Sequence, residues 1–286
     1  MEEWVIRSGI ALLLAVAQNA NQAAQLRAAA RRAEEEAEEQ RRQREEVAQR
    51  LAREQELREL GIQPDRDVSP QHIEQAKKDA GFINDHTHIV VTGNRGSGKS
   101  SLINALLGYA PKDSRAAPTG AIETTMERNR FVDHRHQGYI WYDVPGAGTA
   151  NVTAWQYYYN QGLYIYDLVV VVHETTLSET DIRILKVCKL RNQPFVVVRS
   201  KSDLHIFNTQ HDMDLNPRAA REHYIAAARQ DNPGTVLFRD EVLDVADLLV
   251  SNRTVRAVIN GDSPQGDLLQ EPIDEVELLK RLGLLP

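Results

Sequence analysis

"THIVVTGNRGSGKSS", residues 87–101, runs from a β-branched apolar stretch directly into a glycine-rich turn that ends in Lys-Ser-Ser. The segment "GNRGSGKS", residues 93–100, satisfies G-x-x-x-x-G-K-[ST], and it has the context that pattern requires, a strand before it and a helix after it. In such a turn the glycines let backbone N–H groups converge on phosphate oxygens. Gly93, Asn94, Arg95, Gly96, Ser97 and Gly98 then form a cradle, Lys99 supplies a cation to the outer phosphates, and Ser100, followed by Ser101 in the helix, offers an oxygen to Mg²⁺. Arg95 occupies a position that small residues often fill. It reads either as a solvent-facing side chain or as a guanidinium within reach of γ-phosphate oxygens, where it would stabilise transition-state charge.

Outward from this turn, short apolar runs alternate with longer amphipathic stretches. "THIVVT", "YIWYD", "LVVVVH", "FVVVRS" and "DLLVS" read as strands, and segments such as 178–192 and 217–230 read as helices. The alternation predicts an α/β domain with a mainly parallel sheet covered on both faces. Such sheets bind ligands at the carboxyl ends of their strands. Two further signals stand at those ends. "DVPG", residues 143–146, gives Asp143 to order Mg²⁺ through water and the Gly146 N–H to meet a γ-phosphate. "RSKSD", residues 199–203, gives Asp203 to accept two hydrogen bonds from the N1–H and 2-amino edge of guanine, a pair of donors adenine lacks, while the Lys201 stem covers the base plane. Ser200 stands where Asn or Thr is usual, so nucleotide affinity depends on what its hydroxyl can still do. "LVSNR", residues 249–253, brings the backbone of Ser251 and Asn252 towards the base.

Composition sets limits on the rest. With 286 residues, 42% of them hydrophobic, the chain can build a real core, and a formal charge of -7 argues against bulk capture of nucleic acid. The single cysteine, Cys188, reads as a small buried apolar residue, and the lack of Cys/His zinc spacing fits a reducing, cytoplasmic compartment. Residues 4–17, "WVIRSGIALLLAVA", form an apolar patch interrupted by Arg7, whose unbroken core from Gly9 to Ala17 is far short of the ~20 residues a spanning helix needs, so a transmembrane span is the less favoured reading. A membrane-surface helix, a self-association helix and packing against the rest of the protein all remain open for them. Residues 20–60 contain no Gly or Pro and predict one long helix, on which Glu38, Arg42, Glu46, Arg50, Glu54 and Arg58 form an i,i+4 ladder. That helix reads as a solvated rod or as a coiled coil whose apolar seam is interrupted at Gln40 and Arg44. Ser69 and Pro70 open a further short helix. Of the smaller signals, "DHRH" at 133–136 reads as a polar hairpin turn, His173 as a satisfied near-core histidine, and the tyrosines at 157–159, 164 and 166 as helix packing.

Beyond these motifs, the chain from His86 to Leu282 resembles the immunity-related GTPases, within the dynamin-like, Ras-fold group. The most specific stretches are "AAPTGAIETTMER" (116–128), "YDVPGAGTAN" (142–151) and "YYYNQGLYIYDLVVVV" (157–172). The resemblance implies a Ras-like phosphate-loop GTPase domain over 81–286, preceded by an N-terminal helical region over 1–80. It also implies hydrolysis of GTP to GDP with Mg²⁺, acceleration when two G domains meet across the nucleotide, homo-oligomerisation and membrane association. By the same resemblance Thr125 matches the switch threonine that approaches Mg²⁺ and the γ-phosphate, and Glu123 matches the glutamate of activated hydrolysis; Thr119 and Gly120 would shape the loop. The family usually carries a helical domain after its G domain, whereas this chain reaches Pro286 right after "DEVELLKRL". A second reading therefore stands beside the enzyme: a GTP-binding scaffold with negligible turnover, whose helices mediate assembly or membrane contact.

Overall fold

A computed structural model describes residues 31–32, 34–55, 68–118, 127–146, 154–232, 234–238, 241–262 and 271–286. The chain divides into two compact units, Met1–Glu59 and Leu60–Pro286.

In the first unit, helix α1 (residues 34–55) is solvent-exposed at its described side chains apart from the half-buried Glu54. Arg42 donates to Glu38 at 2.8 Å and Arg50 to Glu54 at 3.0 Å, so two rungs of the predicted ladder are made. Exposed i,i+4 pairs of this kind support a helix by a few tenths of a kcal/mol each. Residues 4–17 lie outside the described residues, and no helix among the described residues is long and apolar enough to cross a membrane.

The second unit opens with α2 (Pro70–Asp79), whose N-cap Ser69 accepts from His72 N, with Pro70 in the first turn as predicted. Strands β1 (Thr87–Thr92), β2 (Asn129–Val132), β3 (Tyr139–Asp143), β4 (Leu168–His173), β5 (Phe195–Arg199) and β8 (Leu248–Leu249) form one sheet in the order β2-β3-β1-β4-β5-β8. Every pairing is parallel except β2 with β3. A separate antiparallel hairpin joins β6 (Thr235–Phe238) to β7 (Glu241–Asp244). Helices α3 (Lys99–Leu106), α4 (Ala154–Asn160), α5 (Glu179–Leu190), α6 (Ser202–Asp212), α7 (Pro217–Asp231), α8 (Asn252–Asn260) and α9 (Glu275–Arg281) complete the unit. The two predicted helical segments are therefore α5 and α7.

The predicted strand "DLLVS" is shorter than its apolar run. Val250 N still donates to Arg199 O of β5 at 2.9 Å, while the alternate donors are met outside the sheet: Leu249 N bonds Asp274 Oδ2 at 2.7 Å and Ser251 N bonds Glu275 Oε1 at 2.8 Å, so carboxylates of the following segment satisfy the edge that no further strand covers. One face of the sheet packs Ile89, Val91, Trp141, Val170, Val172 and Val198 against Leu102, Ile103 and Leu106 of α3 and Leu278 and Leu279 of α9. Complete burial of each such Leu or Ile contributes about 1.5–3 kcal/mol. Cys188 is buried on α5, and burial pushes its thiol pKa up, which keeps it protonated and unreactive.

At the end of the sheet away from the strand carboxyl termini, His88 is buried beneath Phe82, with ring centroids 3.7 Å apart. Its ring meets Tyr142 Oη at 2.9 Å and Ile83 O at 2.9 Å. Burial lowers its pKa, outweighing the opposing hydrogen bond to Ile83 O and the charge of Asp167. The unfolded chain therefore takes up the proton more readily, so stability is fully present above the ordinary value of about 6.5 and falls as pH drops through it towards the folded value. Urea unfolding across this range should show a steeper loss for the wild type than for His88→Gln. Parallel pH profiles would contradict the assignment.

Candidate functional site

The carboxyl ends of β1, β3, β4 and β5 lie side by side, and the sequence motifs follow them. Gly93 leaves β1 at φ 135° against the backbone of β4, where a Cβ would stand 2.0 Å from Val172 O. No side chain fits there. Gly96 and Gly98 take φ 77° and 92°, so the turn uses the left-handed region that glycine tolerates. The loop closes around one carbonyl: Asn94 O accepts from Ser97 N at 3.3 Å and from Lys99 Nζ at 3.0 Å. Lys99 and Ser97 are buried in this turn, and Arg95 is exposed.

Ser100, on the first turn of α3, donates to Asp143 Oδ2 at 2.5 Å. A hydroxyl and a carboxylate in contact beside a phosphate-binding turn are two hard oxygens of the kind Mg²⁺ uses together with phosphate and water, so the donor set fits the ion. Gly146 follows closely: a Cβ on it would come within 2.8 Å of Arg95 N, so the "DVPG" turn lies against the phosphate loop. Tyr157 of α4, which the sequence reading treated only as packing, ties the two together. Its hydroxyl donates to Pro145 O at 2.6 Å and meets Thr92 Oγ1 at 2.8 Å, linking the "DVPG" turn to the end of β1.

On the other side of the loop, the "RSKSD" and "LVSNR" segments converge. Ser200 is fully buried, and its hydroxyl donates to Ser97 O at 2.6 Å. The hydroxyl thus fastens the loop after β5 to the glycine-rich loop after β1. Asn252 Nδ2 would be 3.5 Å from a Cβ on Gly98, and Ser251 caps α8 by accepting from Thr254 N. Lys201 sits at φ 61° as the N-cap of α6, and its ammonium donates to Glu174 Oε2 at 2.6 Å. Asp203 follows in the first turn of α6, partly exposed. Between α3 and α8 a cavity of about 290 Å³ opens beside Asn252, with Ser101, Tyr109 and Arg256 on its walls.

A buried polar layer underlies both halves. Asp181 accepts from Ser178 Oγ at 2.6 Å and from Asn94 Nδ2 at 3.3 Å, which ties the start of α5 to the phosphate loop. Burial raises its pKa despite the hydrogen bonds from Ser178. Arg199 bonds Asp247 at 2.8 Å and Asp231 at 2.7 Å, and His173 Nε2 stands 3.1 Å from Asp247 Oδ2. Burial alone would raise the Asp247 pKa, but His173 and the Arg199 guanidinium outweigh it and hold it below the usual carboxylate value. Lone Asp and His residues at strand ends leave no spacing signature, so the sequence reading did not find Asp181, Glu174 or Asp247. Thr119, Gly120, Glu123 and Thr125 lie outside the described residues. The "DHRH" segment forms a turn in which Asp133 accepts from Arg135 N, His136 N and Trp141 Nε1.

A glycine-rich turn after the central β1, an antiparallel β2 beside β3, and parallel pairing of the remaining strands define a Ras-like α/β fold. Residues 71–264 match the family described as Interferon-inducible GTPase (IIGP), and the chain belongs to that family. It is similar to T-cell-specific guanine nucleotide triphosphate-binding protein 2 of Mus musculus, 37% identical over 123 residues, 43% of this chain and 30% of that protein. It is also similar to Interferon-inducible GTPase 1 of Mus musculus, 36% identical over 168 residues, 59% of this chain and 40% of that protein. The matched stretch thus spans two fifths or less of the length of these relatives. Among solved structures, Aquifex aeolicus Era bound to GDP and AlF4⁻ is similar at a TM-score of 0.41 and 20% identity, over 71% of this chain and 57% of that one.

Proposed function

We propose that this protein binds GTP with Mg²⁺ and hydrolyses it to GDP, with turnover raised by association of two G domains. The observation that carries the reading is the contact of Ser100 with Asp143 next to the turn that carries Lys99, because a hydroxyl and a carboxylate meet beside the loop where a triphosphate would end. Backbone N–H groups of residues 93–98 bind the phosphates, Lys99 offsets their charge, and Ser100, Asp143 and Thr125 hold the metal. Mg²⁺, when bound, neutralises charge that develops between the β- and γ-phosphates. Gly146 N–H meets the γ-phosphate, and Asp203 selects guanine while Lys201, Ser251 and Asn252 border the base. The names of the similar proteins, one a guanine nucleotide triphosphate-binding protein and the other a GTPase, favour the same nucleotide. Displacement of a fluorescent GDP tests this reading: GTP and GDP should compete in Mg²⁺ and ATP should not. Equal competition by ATP would remove the guanine assignment.

Glu123 is the proposed water-orienting group. Glu123→Ala should bind GTP like the wild type yet lose the concentration-dependent part of its turnover, measured as phosphate release. Unchanged turnover at high protein concentration would take Glu123 out of the mechanism. Attachment to a membrane surface through residues 4–17 belongs to the same reading, and co-sedimentation with liposomes, with and without residues 1–19, decides it. Loss of pelleting on deletion supports attachment, and full-length chain that stays in solution rules it out.

A further inference from the structure

Glu174 is the residue after β4, and no motif of the phosphate or base loops includes it. Its carboxylate nevertheless accepts a 2.6 Å hydrogen bond from Lys201, the lysine of "RSKSD". Both side chains are about one-third exposed, so the pair sits at the rim of the site and not out in bulk solvent. The backbone reinforces the pairing. β4 and β5 run parallel with His173 opposite Arg199, and Ser200 N donates to His173 O at 2.9 Å, so the chain positions just beyond these strands are held next to one another. On α6, His205 brings Nε2 to 4.0 Å from the other Glu174 oxygen, and its ring stacks on Tyr224 at 5.7 Å. Burial lowers the His205 pKa, ahead of the opposing pull of Glu174, which leaves Lys201 as the principal cation facing this carboxylate.

We propose that Glu174 is a positioning residue for the nucleotide base: it holds the Lys201 ammonium to one side, so that the four-carbon stem is already laid out as the surface on which the base stacks. The inference rests on the guanine-nucleotide reading above and extends it to a residue outside the recognised motifs. A lysine stem is among the most flexible side chains, and a charge-assisted hydrogen bond at its tip removes that freedom before the ligand arrives. Pre-ordering of this kind raises affinity without any new contact to the ligand.

The test is a double-mutant cycle on the full chain, read by dissociation constants and off-rates of fluorescent GDP at low ionic strength. Glu174→Ala should weaken GDP binding about tenfold, chiefly through faster dissociation, as expected for loss of one charge-assisted hydrogen bond. Glu174→Gln, which keeps an acceptor but not the charge, should recover part of that loss. Lys201→Met keeps the stem and removes the ammonium, and in that background Glu174→Ala should have no further effect. A merely structural role would instead give losses that multiply in the double mutant, and this result, or a Glu174→Ala affinity within about twofold of the wild type, overturns the proposal. A wild type that binds GDP no better than ADP overturns the guanine reading and the proposal together; selective wild-type binding with an unaffected Glu174→Ala overturns the proposal alone.

Discussion

Gly93→Ala is expected to cost about 3 kcal/mol or more of folding stability, from strain at a disfavoured φ together with a backbone clash. The methyl group would have to occupy space 2.0 Å from the carbonyl oxygen of Val172, at φ 135°. Neither partner is a flexible side chain, so relief requires β1 and β4 to separate in the middle of the sheet. Gly96→Ala is the control: its φ is 77° and nothing stands within 4 Å of a Cβ, so only the backbone strain remains, about 1 kcal/mol. Urea midpoints measure both. Equal destabilisation of the two variants would show that β1 and β4 do not approach as closely as described, and would remove the reason for a glycine at the first position of the turn.

Lys99→Ala should leave the fold in place and lower GTP affinity by about 100-fold, equivalent to about 2.7 kcal/mol, the scale of a lost cation with its charge-assisted hydrogen bonds. The fold survives because the carbonyl that Lys99 Nζ reaches, Asn94 O, also accepts from Ser97 N. Two measurements on one preparation separate the effects: thermal unfolding for stability and fluorescent nucleotide titration for binding. A variant that binds GTP within about threefold of the wild type would mean that the turn does not hold the outer phosphates.

The central strands and the phosphate turn were legible in the sequence because each carries a local signature. The apolar runs of β1, β3, β4 and β5 are buried on both faces, so no polar residue interrupts them, and Gly93, Gly98 and Lys99 stand at fixed spacing. β2 was not legible. Its residues Asn129–Val132 are only partly buried, as suits a strand at the edge of the sheet, and they present no apolar run. The β6–β7 hairpin is two four-residue strands outside the main sheet, too short for a periodicity. Helix α6 was hidden for a different reason: it starts inside "RSKSD", immediately after the left-handed Lys201, and only Ser202 and Ile206 of its residues are buried. Within the site, Ser200 was read as a departure, and its short side chain proves to reach Ser97 O because the two loops lie in contact. The partners of the motif residues, Tyr157, Glu174, Asp181 and Asp247, come from other elements and are joined to them only by the fold.

The most direct test of the central claim is the initial rate of phosphate release from GTP per molecule of protein, followed across a wide range of protein concentration in Mg²⁺, with ATP alongside. A GTPase activated by its own association gives a specific rate that climbs with concentration for GTP and stays at background for ATP. A flat, near-zero rate with GTP bound would contradict turnover, and would leave a nucleotide-gated scaffold in its place.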